Sequence, residues 1–210
     1  MFLKKILRKF VGLFCHVRDD GHNNIIQNYS NFGHNFRIHF MGNGNVVKIG
    51  KDCLLSNTSI RISGNNNTII IKDNARFIGP CEIIMGSDST LEIGVNAGIR
   101  GVEFNLDGAN ITVGGLCMFS YGITLRNHDS HKIFDLSTNK RINIPQNIVL
   151  GKHVWIAQDA TILKGAVIGD DSVIGFGSLV TSAISKQPTT NCIIAGIPAQ
   201  VVKQGIKWDY

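Results

Sequence analysis

The segment RNHDSHKI, residues 126–133, holds five titratable side chains within eight residues. His128 and His131 stand three residues apart, with Asp129 between them. An imidazole has a pKa of about 6.5 in water, so near pH 7 its neutral form can accept a proton from a hydroxyl group. The segment therefore indicates general-base chemistry. The composition of the segment does not decide whether His128 or His131 is the base.

The sequence after this segment repeats every six residues. Large aliphatic side chains occupy one position of the repeat, and small side chains follow four residues later. The large positions are Leu150, Ile156, Ile162, Ile168, Ile174 and Val180, and the small ones are Val154, Ala160, Ala166, Ser172 and Ser178. Three six-residue sides make a triangular coil, so the pattern predicts an all-β fold, a left-handed parallel β-helix built as a hexapeptide-repeat solenoid.

The same repeat continues upstream, with polar turns inserted. Ile49, Ile71 and Ile93 lie 22 residues apart (71−49 and 93−71), and turns rich in Gly and Asn separate them. Gly and Asn tolerate the left-handed backbone conformation that a tight corner requires. We therefore expect each coil to consist of three short strands, with one corner enlarged by a polar turn.

The five cysteines predict free thiols in a reducing compartment, because their number is odd and no CxxC pair occurs. Three of them fall on small inward positions of the repeat, where packing explains them without a catalytic role: Cys53, Cys81 and Cys117. This cysteine usage favours a cytoplasmic location.

The hexad stops at Leu125 and resumes at Leu150, and a polar segment with poor periodicity separates the two. A loop that interrupts a solenoid once commonly serves binding or catalysis; a surface insertion without function is the alternative. We therefore predict a β-helix over residues 21–184, with an extended catalytic loop over 126–149. A cap is predicted at each end, over 1–20 and 185–210.

The first cap is expected to contain a short basic amphipathic helix. Arg8 and Lys9 interrupt its apolar residues, which argues against a secretory signal, and no stretch of the sequence approaches the ~20 apolar residues of a membrane span. Two interpretations stay open. The helix packs on the end of the domain or on a sister subunit, or residues 1–14 make weak peripheral contact with the inner face of an anionic membrane.

Two segments, GKHVWIAQDATILKGAVIGDDSVIGFGSLVTSAI (151–184) and IIAGIPAQVVK (193–203), resemble the C-terminal signature of the hexapeptide-repeat acetyltransferases. The DSHKI and RIN segments of the loop resemble the bacterial surface-polysaccharide O-acetyltransferases, a group that includes the polysialic acid O-acetyltransferases of capsules. The likeness is specific from about Leu116 to Lys203. It implies an acetyl-CoA-dependent O-acetyltransferase that acts on a hydroxyl of a cell-surface sugar, such as sialic acid or an O-antigen sugar.

The resemblance also implies which histidine is catalytic. In these families the catalytic histidine precedes the tryptophan of the VWI motif by an interval that matches the 24 residues from His131 to Trp155 (155−131), and not the 27 from His128. His131 would thus take the proton of the sugar hydroxyl and return it to the departing thiolate of coenzyme A, without a covalent enzyme intermediate. Asp129 is a candidate to hold its other ring nitrogen.

By the same resemblance, coenzyme A lies along a prism edge between two subunits of a homotrimer. Trp155, the second catalytic residue, would point outward beside the thioester and the acceptor sugar. The expected cofactor contacts are the backbone around Ala157, Gln158, Gly175 and Phe176, the side chain of Thr181, and Lys203, with Lys207 as a weaker candidate. The expected acceptor contacts are His128 and Arg141.

Three other readings stay open. The acceptor is a small molecule, such as an antibiotic or a simple sugar, or the solenoid is a binding scaffold without catalysis. Gamma-class carbonic anhydrases also use this fold and hold zinc through histidines. His34 and His39 have a suggestive spacing for such a site, but the expected acidic and arginine neighbours are missing, so we expect no metal. The net charge of +6 favours an anionic acceptor, and we expect no nucleic-acid partner.

Overall fold

A computed structural model of the chain describes residues 15–30 and 33–210. Residues 1–14, for which the sequence predicts an amphipathic helix and a membrane contact, lie outside the described residues. Cys15–Asp19 is already a strand, and it pairs with Phe36–Phe40 of the next coil. The strands therefore begin before residue 21, and the expected N-terminal cap overlaps the first coil.

In the described residues the strands form three sheets, numbered here in chain order. Sheet I contains β1 (Cys15–Asp19), β3 (Phe36–Phe40), β6 (Thr58–Ile62), β9 (Cys81–Met85), β12 (Val102–Leu106), β15 (Ile123–Arg126), β18 (Thr161–Leu163) and β21 (Leu179–Val180). Sheet II contains β2 (Ile25–Asn28), β4 (Val46–Ile49), β7 (Thr68–Ile71), β10 (Thr90–Ile93), β13 (Ile111–Val113), β16 (Ile148–Leu150) and β19 (Val167–Ile168). Sheet III contains β5 (Leu54–Leu55), β8 (Arg76–Phe77), β11 (Gly98–Ile99), β14 (Met118–Phe119), β17 (Trp155–Ile156), β20 (Val173–Ile174), β22 (Cys192–Gly196) and β23 (Ala199–Gln204).

From β3 to β21 the chain visits the three sheets in turn, and each of these strands pairs in parallel with the equivalent strand one coil away. Ile49 pairs with Ile71 and Ile71 with Ile93, as the 22-residue spacing predicts. Leu150 pairs with Ile168, one 18-residue coil later (168−150). The fold is the left-handed parallel β-helix expected from the hexad.

The interior of the prism is filled by the two inward positions of the repeat. All the large aliphatic positions from Leu150 to Val180 are buried, and so are the small positions beside them. Burial of one such aliphatic side chain contributes about 1.5–3 kcal/mol, so the stacked rows dominate the stability of the fold. The three cysteines assigned to small positions are also buried, which confirms that packing accounts for them.

The polar turns all lie at the corner between sheets I and II. There Asn45 donates from its side-chain amide to Asn24 Oδ1 (3.0 Å), and Asn67 donates in the same way to Asn45 Oδ1 (2.9 Å). This ladder satisfies buried amides that have no partner in a sheet. It resumes near the end of the 126–149 loop, where Asn147 Oδ1 accepts from the backbone N–H of Asn110 (2.9 Å). The loop is therefore an expansion of a corner that is already enlarged in every earlier coil.

The C-terminal end of the prism is closed by two elements. A 3-10 helix, Ser182–Lys186, takes the place of a further strand of sheet II. Strand β23 then turns back and pairs antiparallel with β22, which ends the parallel stacking of sheet III. Within residues 15–30 and 33–210, no helix is long and apolar enough to cross a membrane.

Candidate active site

The loop leaves sheet I after Arg126 and rejoins the prism at Ile148, the first residue of β16. It therefore projects from the I–II corner. A short antiparallel bridge between Phe134 and Arg141 shapes its outer part into a hairpin. His128, His131 and Arg141 all belong to this loop, so the structure brings these three predicted residues into one region.

Asn143 organises the loop from the inside, with only 7% of its surface exposed. Its side-chain amide donates to the backbone carbonyl of His131 (2.7 Å) and to Asp129 Oδ2 (3.0 Å), and its Oδ1 accepts from the N–H of Ile133 (2.7 Å). Arg141 Nε donates a longer hydrogen bond to the same oxygen (3.4 Å). Asn143 thus fixes the backbone on both sides of His131.

Asp129 does not hold the ring of His131, which corrects the sequence-based expectation. Its carboxylate forms an ion pair with Lys164 on the neighbouring coil and accepts the hydrogen bond from Asn143. The hydrogen bond from Lys164 is the largest cause of the lowered pKa of Asp129. Asp129 therefore anchors the base of the loop to the prism.

His128 is half-buried, and both of its ring nitrogens are engaged. Nδ1 accepts from the backbone N–H of Ser130 (3.0 Å), so Nε2 carries the proton and donates to Asn105 Oδ1 (2.7 Å). Burial, and then the positive charge of Arg126, lower the pKa of His128. This imidazole is neutral and has no free nitrogen, so it does not suit the role of a base.

His131 differs from His128 in each of these respects. Its side chain is exposed, and its hydrogen bonds within the described part of the chain involve backbone atoms, namely its N–H to Asp129 O (2.7 Å) and its carbonyl to Asn143. The imidazole is therefore presented to solvent on a backbone that is held in place. This arrangement suits a base that must reach a substrate from outside the chain.

Trp155 points outward from sheet III, as predicted, with 41% of its surface exposed. Sheet III is the face of the prism opposite the I–II corner from which the loop projects. Within one chain, His131 and Trp155 therefore lie on opposite sides of the prism. The sequence places them 24 residues apart, but the coil carries the chain around the prism between them.

Four of the predicted cofactor residues do cluster, at the corner between sheets III and I. Ala157 and Gln158 follow β17, and Gly175 and Phe176 follow β20 directly above it. The N–H of Gly177 donates to the carbonyl of Gln158 (3.0 Å), which joins the two coils. The side chain of Phe176 is 70% exposed, and a Cβ at Gly177 would meet open space. Ala157, Gly175 and Gly177 thus form a line of small residues along this edge, beside the exposed ring of Phe176.

The other two predicted cofactor residues lie elsewhere. Thr181 lies at the I–II corner, where it caps the 3-10 helix by accepting from the N–H of Ala183 (3.4 Å). Lys203 is exposed on β23, where it pairs with Ile193 in sheet III. Thr181 therefore shares a corner with the catalytic loop of its own chain, whereas Lys203 shares a sheet with Trp155. Lys207 is exposed in the C-terminal segment beyond β23.

The residues considered for zinc do not form a ligand cluster. His39 Nε2 is bonded to Asp20 Oδ2 (2.9 Å), which in turn accepts from Arg18. No group of three His, Cys, Asp or Glu side chains with metal-binding geometry occurs among the residues that the structure describes.

Sequence reasoning missed three features of this region. Asn143 ends the RIN segment noted in the sequence but was given no role there, and Lys164 stands out neither by type nor by spacing. Trp208, which lies 6.1 Å from Trp155 between ring centroids, was not considered. The loop also exposes an apolar surface on an otherwise polar segment, formed by Ile133, Phe134, Leu136, Ile142 and Ile144.

A prism of hexapeptide coils with one corner loop defines the class of this protein, and comparison with known proteins agrees. The family model described as "Bacterial transferase hexapeptide (six repeats)" matches residues 147–182. The polysialic acid O-acetyltransferase of Neisseria meningitidis is 35% identical over 127 residues, which cover 60% of this chain and 58% of that protein. The chain thus spans less than two thirds of this relative.

Two solved structures are similar over almost the whole chain. The polySia-specific acetyltransferase NeuO superposes with a TM-score of 0.84 at 30% identity, covering 94% of this chain and 83% of NeuO. The polysialic acid O-acetyltransferase OatWY gives a TM-score of 0.80 at 32% identity, covering 94% of this chain and 92% of OatWY. The chain belongs to the hexapeptide-repeat acetyltransferase family.

Proposed function

We propose that this protein transfers the acetyl group of acetyl-CoA to a hydroxyl of an anionic surface polysaccharide, with His131 as the general base. The observation that carries the proposal is the contrast between the two loop histidines. The ring of His128 is bonded at both nitrogens, whereas the ring of His131 is exposed on a backbone held by Asn143. The polysialic acid O-acetyltransferases among its relatives support the acceptor class.

The proposed reaction requires few functional groups from the protein. Acetyl-CoA supplies an activated thioester, so the protein needs to align a sugar hydroxyl and remove its proton. The imidazole of His131 accepts that proton as the hydroxyl attacks, and then delivers it to the departing sulfur. No nucleophilic side chain is needed, in keeping with the burial of four of the five cysteine thiols in or beside the prism core.

A complete site requires a second copy of the chain. His131 and Trp155 lie on opposite sides of one prism, so a substrate between them has to lie between two molecules. The exposed apolar side chains of the loop support this arrangement, because a surface of this kind commonly marks a protein contact. In the proposed homotrimer, the loop of one subunit reaches the face of its neighbour that carries Trp155 and the edge at Ala157 and Gly175.

The charge around the loop supports an anionic acceptor. Basic side chains outnumber carboxylates in and beside the loop: Arg126, Lys132, Lys140, Arg141 and Lys164 against Asp107, Asp129 and Asp135. Lys164 already neutralises Asp129, so the remaining surface is mainly positive. A carboxylate-bearing sugar such as sialic acid is attracted to such a surface, and a neutral sugar gains nothing from it.

A transfer assay against a panel of glycans tests this proposal. Purified protein is incubated with acetyl-CoA and sialylated polymers, neutral O-antigen-type sugars or small-molecule acceptors, and acetylated product is identified by mass spectrometry. We expect product on the sialylated acceptors. His131→Ala should lower kcat/KM by about 10²–10⁴-fold, whereas His128→Gln should retain most activity. Full activity of His131→Ala would show that the base is another group, and product only on small molecules would reassign the acceptor.

A further inference from the structure

The last residues of the chain run back along the prism as a strap, defined here as residues 206–210. Beyond β23 the chain turns at Gly205, which has a φ of +68°, and the N–H of Ile206 donates to the carbonyl of Asn191 (2.9 Å). The indole N–H of Trp208 donates to the carbonyl of His153 (3.0 Å), and the hydroxyl of Tyr210 donates to the carbonyl of Leu116 (3.0 Å).

These contacts lie on successive coils of the II–III corner. Asn191, Asp171, His153 and Leu116 occupy equivalent corner positions, each with a positive φ between 51° and 61°. Three coil spacings of about 4.8 Å amount to roughly 14 Å. Four extended residue steps cover about the same distance. The length of the strap therefore matches three coil spacings, and the strap runs along the corner, across the direction of the strands.

The strap builds a stack of rings beside Trp155. The indole of Trp208 lies flat on the imidazole of His153, with centroids 3.9 Å apart and planes 8° apart. Asp171 fixes that imidazole by a bond to Nδ1 (2.8 Å), and Tyr210 meets the His153 ring edge-on at 5.6 Å. Trp155 packs against Trp208, with ring centroids 6.1 Å apart and ring planes tilted by 41°. The strap thus covers one side of the Trp155 indole.

We propose that Trp208 is a positioning residue that holds the Trp155 indole in the orientation needed to bind the acyl donor. This inference rests on the proposed function for the role of Trp155. Trp155 is flanked by the strap on the II–III side and by the edge at Ala157 on the other. Without Trp208 its indole is free to turn toward the vacated corner, so donor binding weakens. Proton transfer by His131, which the neighbouring subunit supplies, is left unchanged.

Fluorescence tests the positioning without any assay of activity, because the chain contains only two tryptophans. In Trp208→Phe and Trp208→Ala, Trp155 is the sole tryptophan. The phenyl ring keeps a flat contact with His153, and the alanine removes it. We expect acrylamide to quench Trp155 about twofold more efficiently in Trp208→Ala than in Trp208→Phe. Equal quenching in the two variants, with unchanged circular dichroism, would overturn the proposal.

Kinetics give the second readout. We expect Trp208→Ala to raise the KM for acetyl-CoA about fivefold while kcat stays within about twofold of wild type, and Trp208→Phe to restore most of the KM. Tyr29→Phe, a change in an exposed side chain four coils before Leu116 on the same corner, serves as the control. A fall in kcat at unchanged KM would contradict a positioning role. A wild-type chain that transfers no acetyl group would overturn the proposed function, while the quenching comparison would still decide the role of Trp208.

Discussion

The side-chain amide of Asn143 donates to the backbone carbonyl of His131 across 2.7 Å, from a position that is almost fully buried. This bond joins the returning arm of the loop to the arm that carries His131. Because Asn143 also bonds Asp129 and Ile133, one side chain sets the loop on both sides of His131. The position of the His131 backbone therefore depends on one buried side chain.

Removing this side chain should impair catalysis more than folding. Asn143→Ala leaves partners of buried hydrogen bonds unpaired, which costs about 1–3 kcal/mol of the free energy of unfolding. Displacement of the imidazole by about 1 Å is expected to lower kcat by about 100-fold. Steady-state kinetics and urea unfolding measure the two effects.

The hairpin tip provides a matched control. Asn139 is exposed and has a positive φ of 53°, which glycine also adopts without strain. Asn139→Gly should therefore keep kcat close to wild type. If both asparagine variants lose the same activity, the loop responds to any change and Asn143 has no special role.

Acid should destabilise the protein through His128. Its pKa is lowered from the ordinary value of 6.5, mainly by burial. Below about pH 6.5 the unfolded chain binds a proton that the folded chain does not, so the free energy of unfolding decreases as pH falls. Above this pH both states are neutral and His128 adds no pH dependence.

Urea unfolding at about pH 7.5 and about pH 5.5 checks this prediction. The wild type should lose more free energy of unfolding between the two pH values than His128→Gln, which cannot titrate. His22→Gln, a substitution of an exposed histidine elsewhere, should keep the wild-type slope. A His128→Gln variant with the wild-type slope would show that another group causes the acid sensitivity.

The buried thiols should resist alkylation while the prism is closed. Burial raises the pKa of Cys81 and of Cys117 to about 11, so only about one thiol in a thousand is ionised at pH 8. Iodoacetamide at this pH should leave both unmodified in the native protein and modify them in denaturant, as peptide mass spectrometry will report. Cys15, which is only partly buried, should react first. Rapid labelling of Cys117 in the native protein would show that the coils open.

The sequence was most informative where one physical rule repeats. A side chain that must fill the prism recurs every six residues, so Leu150 to Val180 predicted the three sheets, and the same rule explained Cys53, Cys81 and Cys117. The position of the loop was also predictable, because the hexad stops at Leu125 and resumes at Leu150. The first strand was missed, since all five residues of Cys15–Asp19 are exposed or only partly buried, and three of them, His16, Arg18 and Asp19, are polar.

The details of the site were less predictable, because they depend on contacts distant in sequence. Asp129 stands two residues from His131, yet its carboxylate bonds Lys164, which lies 35 residues away. Thr181 and Phe176 are near one another in the chain, yet the coil places them at different corners. Trp208 meets His153 only because the strap turns back over the prism. Residue spacing predicts which side chains meet within the repeat, but it does not predict the contacts of the loop and the strap, which lie outside the repeat.

The central claim is that His131 of one chain and Trp155 of another form each site. It is tested most directly by mixing His131→Ala and Trp155→Ala chains, each with a different tag, and assaying the isolated mixed trimers. If the site lies between neighbours, a mixed trimer of either composition keeps both side chains intact in one of its three sites, so about one third of wild-type activity should return. Mixed trimers as inactive as the two parent variants would contradict the account, because a site within one chain is never complete in such a mixture.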